Sequence, residues 1–180
     1  MKNNIKSLGL DLSLTGTGLV ILEDGKIVEQ KLIKSKPVGD LPINELKRIQ
    51  KIVSDIGDII KDQQIDVSVI EGMAFGIRNA TSLVQLSALN YFTRALLLER
   101  NIPFIIVAPT SLKKFITSNG AAKKDEMLLS TFKRYGVTIL DDNICDAYGL
   151  AQVGLALLGG NSKDITKLQE EVINLLKKQI

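Results

Sequence analysis

The chain has 180 residues, 45% of them apolar, which fits one compact domain with a buried core and leaves no room for a second catalytic domain. Lys and Arg outnumber Asp and Glu by 23 to 20, and the resulting net charge of +3 is too mild to name a nucleic-acid partner by itself. With no histidine and a single cysteine, Cys145, the chain excludes a Ser-His-Asp triad, a Cys-His dyad, His-ligated zinc, a thiolate metal site and an intrachain disulfide.

The longest apolar runs fall short of the ~20 residues a membrane span needs, and the polar start Met1 to Lys6 does not open a signal peptide. A reducing, cytoplasmic setting without membrane attachment is the expectation. No phosphate-binding loop or dinucleotide fingerprint is present. Carboxylates, hydroxyls, lysines and arginines are left to carry any chemistry.

In chain order, Ile5 to Ser13 and Gly16 to Leu22 are predicted strands, Asp24-Gly25 a hairpin turn, and Lys26 to Ile33 a third strand, an antiparallel meander. Leu46, Ile49, Val53, Ile56 and Ile60 recur at helical spacing, predicting an amphipathic helix over Leu41 to Lys61. Val67 to Ile70 is a short buried strand, Asn79 to Arg100 a long apolar helix and Pro103 to Val107 another strand. Helices follow at Ser111 to Thr117, Ala122 to Tyr135 and Asp142 to Leu158, then Gly159-Gly160 and an amphipathic helix within 162–180. The expected fold is α/β, a five-stranded mixed sheet with helices on both faces, in one domain over 1–180.

Three carboxylate positions stand out. Asp11 lies in Leu8-Gly9-Leu10-Asp11-Leu12-Ser13, where period two puts the leucines on one face and Asp11 with Gly9 and Ser13 on the other. A carboxylate there is costly unless paired or metal-bound; the bland alternative is an edge-strand Asp capping the Thr15-Gly16 turn. Glu71 ends Val67-Ser68-Val69-Ile70 just before Gly72, at the kind of strand end where open α/β sheets place sites, although a solvated terminal Glu is common. Asp142, Asn143 and Asp146 share one face at a predicted helix start. Capping accounts for Asp141 and Asp142 readily, less so for Asp146 in the second turn. Two strand carboxylates and one or two from a late helix suit a pair of Mg²⁺ or Mn²⁺ ions about 3.5 to 4 Å apart, able to activate water against phosphorus without histidine.

The segments Gly9-Leu10-Asp11-Leu12-Ser13-Leu14-Thr15-Gly16-Thr17-Gly18, Val69-Ile70-Glu71-Gly72 and Asp146-Ala147-Tyr148-Gly149-Leu150-Ala151 together resemble the RuvC Holliday-junction resolvases, closest to their phage-type branch. The resemblance implies an RNase H-like fold, a homodimer and paired symmetric nicks across a four-way DNA junction, the activity of a crossover junction endodeoxyribonuclease. It also implies two basic residues eleven apart that handle the scissile phosphate, a spacing met by Lys113 and Lys124. Lys113, Lys114, Lys123, Lys124, Lys133 and Arg134 form a basic run against only Asp125 and Glu126, suited to phosphates. Lys124 joins Asp11, Glu71, Asp142 and Asp146 as a catalytic candidate; Lys113, Lys114, Lys123, Phe75 and Arg78 join it as DNA-binding candidates.

Three positions depart from the family pattern. Leu12-Ser13 replaces a common Pro-Gly. Asn143 stands where an acid or histidine precedes the last catalytic Asp, leaving the fourth ligand to Asp142 or to Asn143 itself. Phe75 falls one position late for the junction wedge, with Ala74 in the usual slot.

Asn79 to Arg100 is apolar on nearly every side, more than one sheet can bury, so a two-fold partner or the terminal helix must cover the remainder. Two other functions fit parts of the pattern: an actin- or sugar-kinase-like ATP-binding domain, from the Thr15-Gly16-Thr17-Gly18 hairpin, and a junction-binding protein without catalysis, from Asn143.

Overall fold

The computed structural model describes residues 4–39, 41–73, 80–160 and 165–179. Strands β1 (Lys6–Asp11), β2 (Gly16–Glu23) and β3 (Lys26–Lys34) form the expected meander. Asp24 and Gly25 both adopt positive φ, 48° and 86°, the two-residue turn whose twist matches the strands it joins. Strands β4 (Val67–Glu71) and β5 (Phe104–Val107) add in parallel beyond β1, giving the order β3-β2-β1-β4-β5. Asp11 therefore ends the middle strand, which corrects the edge-strand alternative.

Period two splits the sheet's side chains between two layers. Leu8, Leu10, Leu19, Ile21 and Ile70 pack with Ile49, Ile52 and Ile56 of α1 (Pro42–Ile60) and Leu89 and Leu97 of α2 (Ala80–Glu99). On the other face Val20 and Leu22 meet α5 (Asp142–Leu157), against which α3 (Pro109–Thr117), α4 (Lys124–Tyr135) and α6 (Lys167–Leu176) also pack. Helices thus cover both faces, as expected.

The α5 backbone rests directly on β1 and β2. A Cβ at Gly9 would lie 1.9 Å from the Ala147 carbonyl oxygen, and one at Gly18 would lie 2.1 Å from that of Asn143. Only glycine permits such an approach.

Two helix starts differ from expectation by two residues. Pro109 begins α3, because its fixed φ and missing N–H suit a first helical position. Ala122 and Lys123 precede α4, in a turn where the Ala121 N–H donates to the Asn119 side chain at 3.0 Å.

The terminal helix is shorter than 162–180, covering Lys167–Leu176 with a 3₁₀ turn at Lys177–Gln179. Its Val172, Ile173 and Leu176 pack on Leu112, Phe115 and Ile116 of α3, away from α2. Gln169 Nε2 donates to the Phe115 carbonyl at 2.9 Å. The Gln179 amide pairs with the Ile106 N–H and C=O at 3.0 and 2.9 Å, blunting the free edge of β5. The terminal helix therefore does not cover α2, whose Val84, Tyr91 and Leu98 stay exposed. No helix among the described residues is long and apolar enough to cross a membrane.

Candidate active site

Asp11 and Glu71 end adjacent parallel strands, with Leu10 beside Ile70 in register, so both carboxylates emerge at one end of the sheet. Gly72 keeps β4 paired just past Glu71, its N–H donating to the Val107 carbonyl at 2.7 Å. Asp11 lies opposite Gly18, and Gly18 lies under the first turn of α5. That contact seats the helix so that Asp146, one turn further on, turns toward the strand ends.

Burial makes ionisation of this group costly. It pushes Asp11, only 8% exposed, up to about 7, with the Asp146 charge adding to the effect. Burial and then the charges of Asp11 and Asp146 raise Glu71 to about 8, and burial and then Asp142 raise Asp146 to about 6. The two side chains also act directly on each other, an interaction that raises Glu71 and lowers Asp11.

Two cations temper this field. Lys113 lowers Glu71 and Asp146, while Lys124 lowers Asp11 and Asp146 and holds Asp142 at 2.7 Å. The candidates do not all converge. Asp142 sits at the rim with Lys124, and the Asn143 amide lies beside the β1–β2 turn, 3.3 Å from where a Gly16 Cβ would be. Lys114 turns to α6 and pairs with Glu171 at 2.9 Å. Lys123 is exposed just before α4, and Phe75 and Arg78 lie outside the described residues. Asp141 caps α5, accepting from the Asn143 and Ile144 N–H groups at 3.0 and 3.1 Å.

Sequence patterning did not single out Arg48. On the polar face of α1, it donates to the Leu14 carbonyl at 2.5 Å and to Ser35 Oγ at 2.9 Å, clamping the turn that follows Asp11. Nothing in the helical periodicity distinguishes it from a solvated residue. Within the turn Thr17 Oγ1 donates to the Ser13 carbonyl at 2.8 Å and accepts from the Ser13 N–H at 3.1 Å, so this hydroxyl serves the hairpin itself.

Among the described residues, no three carboxylate or thiol groups meet closely enough to cage an ion. The donor set fits a hard divalent cation nonetheless. Asp11, Glu71 and Asp146 offer oxygen only, and the Asp146 charge raises both strand carboxyls, so the group gains from a shared positive charge.

A mixed sheet in this order, with carboxylates at the ends of two central strands and on the helix above, is the frame of an RNase H-like nuclease. The family model "Crossover junction endodeoxyribonuclease RuvC" matches residues 7–152, and the chain belongs to that family. The RuvC of Ehrlichia chaffeensis is 32% identical over 124 residues, 68% of this chain and 78% of that one. That of Brachyspira hyodysenteriae is 27% identical over 146 residues, 81% and 90% of the two chains. The structure of Thermus thermophilus RuvC in complex with a Holliday junction substrate shares the fold, with a TM-score of 0.70 and 16% identity over 82% of this chain and 90% of that one. The protein is a junction-resolving endonuclease of a metal-dependent family, and the ATP-binding and non-catalytic alternatives are not favoured.

Proposed function

We propose that the protein is a single nuclease unit that cuts four-way DNA junctions by paired symmetric nicks in the cytoplasm, using two Mg²⁺ ions, replaceable by Mn²⁺, at Asp11, Glu71 and Asp146. Asp142 or Asn143 supplies the fourth donor. The observation that supports this most is that Asp11 and Glu71 leave adjacent parallel strands at one end of the sheet, where the charge of Asp146 acts on both. When bound, the ions supply an activated water and neutralise charge on the scissile phosphate.

The chain's own groups do the rest. Asp11 and Glu71 are held by a paired sheet, so their positions are set before substrate arrives. Lys124 exchanges its exposed link to Asp142 for a DNA phosphate, and Lys113 meets the same backbone from the Glu71 side. Lys123 extends this surface, and Phe75 and Arg78 are further contacts for the junction. Lys114 is left out of this path because its ammonium faces Glu171.

A homodimer supports paired cuts. Val84, Tyr91 and Leu98 recur every seven residues along α2 and are exposed, a stripe a second copy would cover about a two-fold axis.

The test is incubation with a labelled synthetic four-way junction and its linear duplex, in Mg²⁺ and in EDTA. Symmetric nicking of the junction in Mg²⁺ is expected. Equal cutting of the duplex, or cutting in EDTA, would contradict the proposal.

A further inference from the structure

A cavity of about 290 Å³ lies between the end of β3 and the first half of α1, lined by Ser35, Lys36, Asn44, Lys47, Arg48 and Lys51 among others. Among the described residues, no acidic side chain lines it. Lys51 pairs with Asp55 on its own helix, but Lys36 and Lys47 are exposed and have no ion-pair or hydrogen-bond partner among the described residues. Lys47 and Lys51 are four apart on α1, a like-charge arrangement that helices disfavour unless an anion lies between them. Arg48 forms a rigid wall, since Nε and one terminal nitrogen are bonded to Ser35 Oγ and the Leu14 carbonyl.

The cavity's place in the fold gives it a ligand. Gly18 pairs with both Asp11 and Leu32, and Gly16 pairs with Lys34, so the end of β3 lies at the same end of the sheet as Asp11. Leu32 lies two strand spacings from Asp11, about 10 Å, and the cavity begins at Ser35, three residues further along the chain. Lys113 and Lys124 flank Asp11 on the side of α3 and α4, and the cavity flanks it on the side of α1.

We infer that the Lys36–Lys47–Arg48 cavity is a second phosphate site, which holds the backbone of a DNA arm leaving the cleavage centre across the β1–β2 turn. The inference rests on the junction-cleaving reading above. Lys36 and Lys47 supply mobile point charges, while Arg48 supplies a fixed donor and ties the occupied cavity to the turn that follows Asp11.

The experiment measures binding of the full-length protein and of the Lys36→Glu/Lys47→Glu variant to a labelled four-way junction in EDTA, over a range of salt. One junction has long arms and the other has arms cut back to the branch. On long arms the variant should bind at least tenfold more weakly, and its salt slope should be shallower by about 1.8, from two lost phosphate contacts at ~0.9 each. On short arms it should match the wild type. The neutral Lys36→Gln/Lys47→Gln variant should show the same arm dependence with a smaller loss, and both should keep the wild-type melting temperature. An unchanged slope on long arms, or an equal loss on short arms, overturns the cavity as a phosphate site while leaving the junction reading intact. Failure of the wild type to bind either junction overturns the junction reading, and the cavity proposal with it.

Discussion

Gly18 lies under the Asn143 carbonyl so closely that a methyl group on it would stand 2.1 Å from the oxygen. Gly18 is also the register partner of Asp11, so this one contact seats the start of α5 beside the first carboxylate. Backbone meets backbone, and no side-chain rotation can relieve an added Cβ.

Gly18→Ala should therefore destabilise the fold by roughly 3 kcal/mol or more and lower cleavage by displacing Asp146. Gly16→Ala provides the contrast, since its Cβ would meet the movable Asn143 amide at 3.3 Å, and should cost less than about 1 kcal/mol. Denaturant unfolding of the pair checks this; equal stabilities would contradict the close docking of α5.

Asp11, Glu71 and Asp146 titrate near 7, 8 and 6, above the ordinary carboxylate range of about 4 that they regain on unfolding. Between about pH 4 and 8 the folded state thus binds more protons than the unfolded chain, and stability falls as pH rises through that window. A metal ion requires the ionised carboxylates and opposes this loss. Melting in EDTA should be lower at about pH 8 than at about pH 5.5, and Mg²⁺ should raise it more at the higher pH. A Mg²⁺ effect that is the same at both would count against these carboxylates as ligands.

Lys124 and Lys114 separate site from surface. The Lys124–Asp142 link is mostly exposed, so Lys124→Ala should change stability by less than about 0.5 kcal/mol. Its cleavage rate should fall roughly 10²-fold, the scale for losing one charge-stabilising donor. Lys114→Ala removes only the pair with Glu171 and should cleave normally. Single-turnover kinetics on a four-way junction would show the difference.

The α2 stripe predicts a dimer. Tyr91→Glu should give a monomer by sedimentation with an unchanged circular dichroism spectrum, because Tyr91 points away from the core. A dimer persisting in Tyr91→Glu would move the interface elsewhere.

The meander and the order of strands and helices were legible because period two and period 3.6 are strong in Leu8 to Leu22 and in Leu46 to Ile60. Gly9 shares a face with Asp11, and α5 packs its backbone directly against that glycine. The destination of the terminal helix was not legible, since its stripe suits any apolar surface; Gln169 and Gln179 decide it through long-range bonds to Phe115 and Ile106. Spacing alone set Lys113 apart from its neighbour Lys114; in the helix adjacent residues point about 100° apart, so the Lys113 charge acts on Glu71 while Lys114 pairs with Glu171. Arg48 escaped notice because its partners, Leu14 and Ser35, are backbone or loop groups far away in sequence.

The most direct test of the carboxylate centre is Glu71→Gln, run beside Asp11→Asn on a four-way junction in Mg²⁺. Glutamine keeps the size and hydrogen-bonding capacity of the side chain beside Asp11, but it removes an anionic oxygen. Cleavage should vanish in both variants while junction binding in EDTA matches the wild type. Wild-type cleavage by Glu71→Gln would contradict the account.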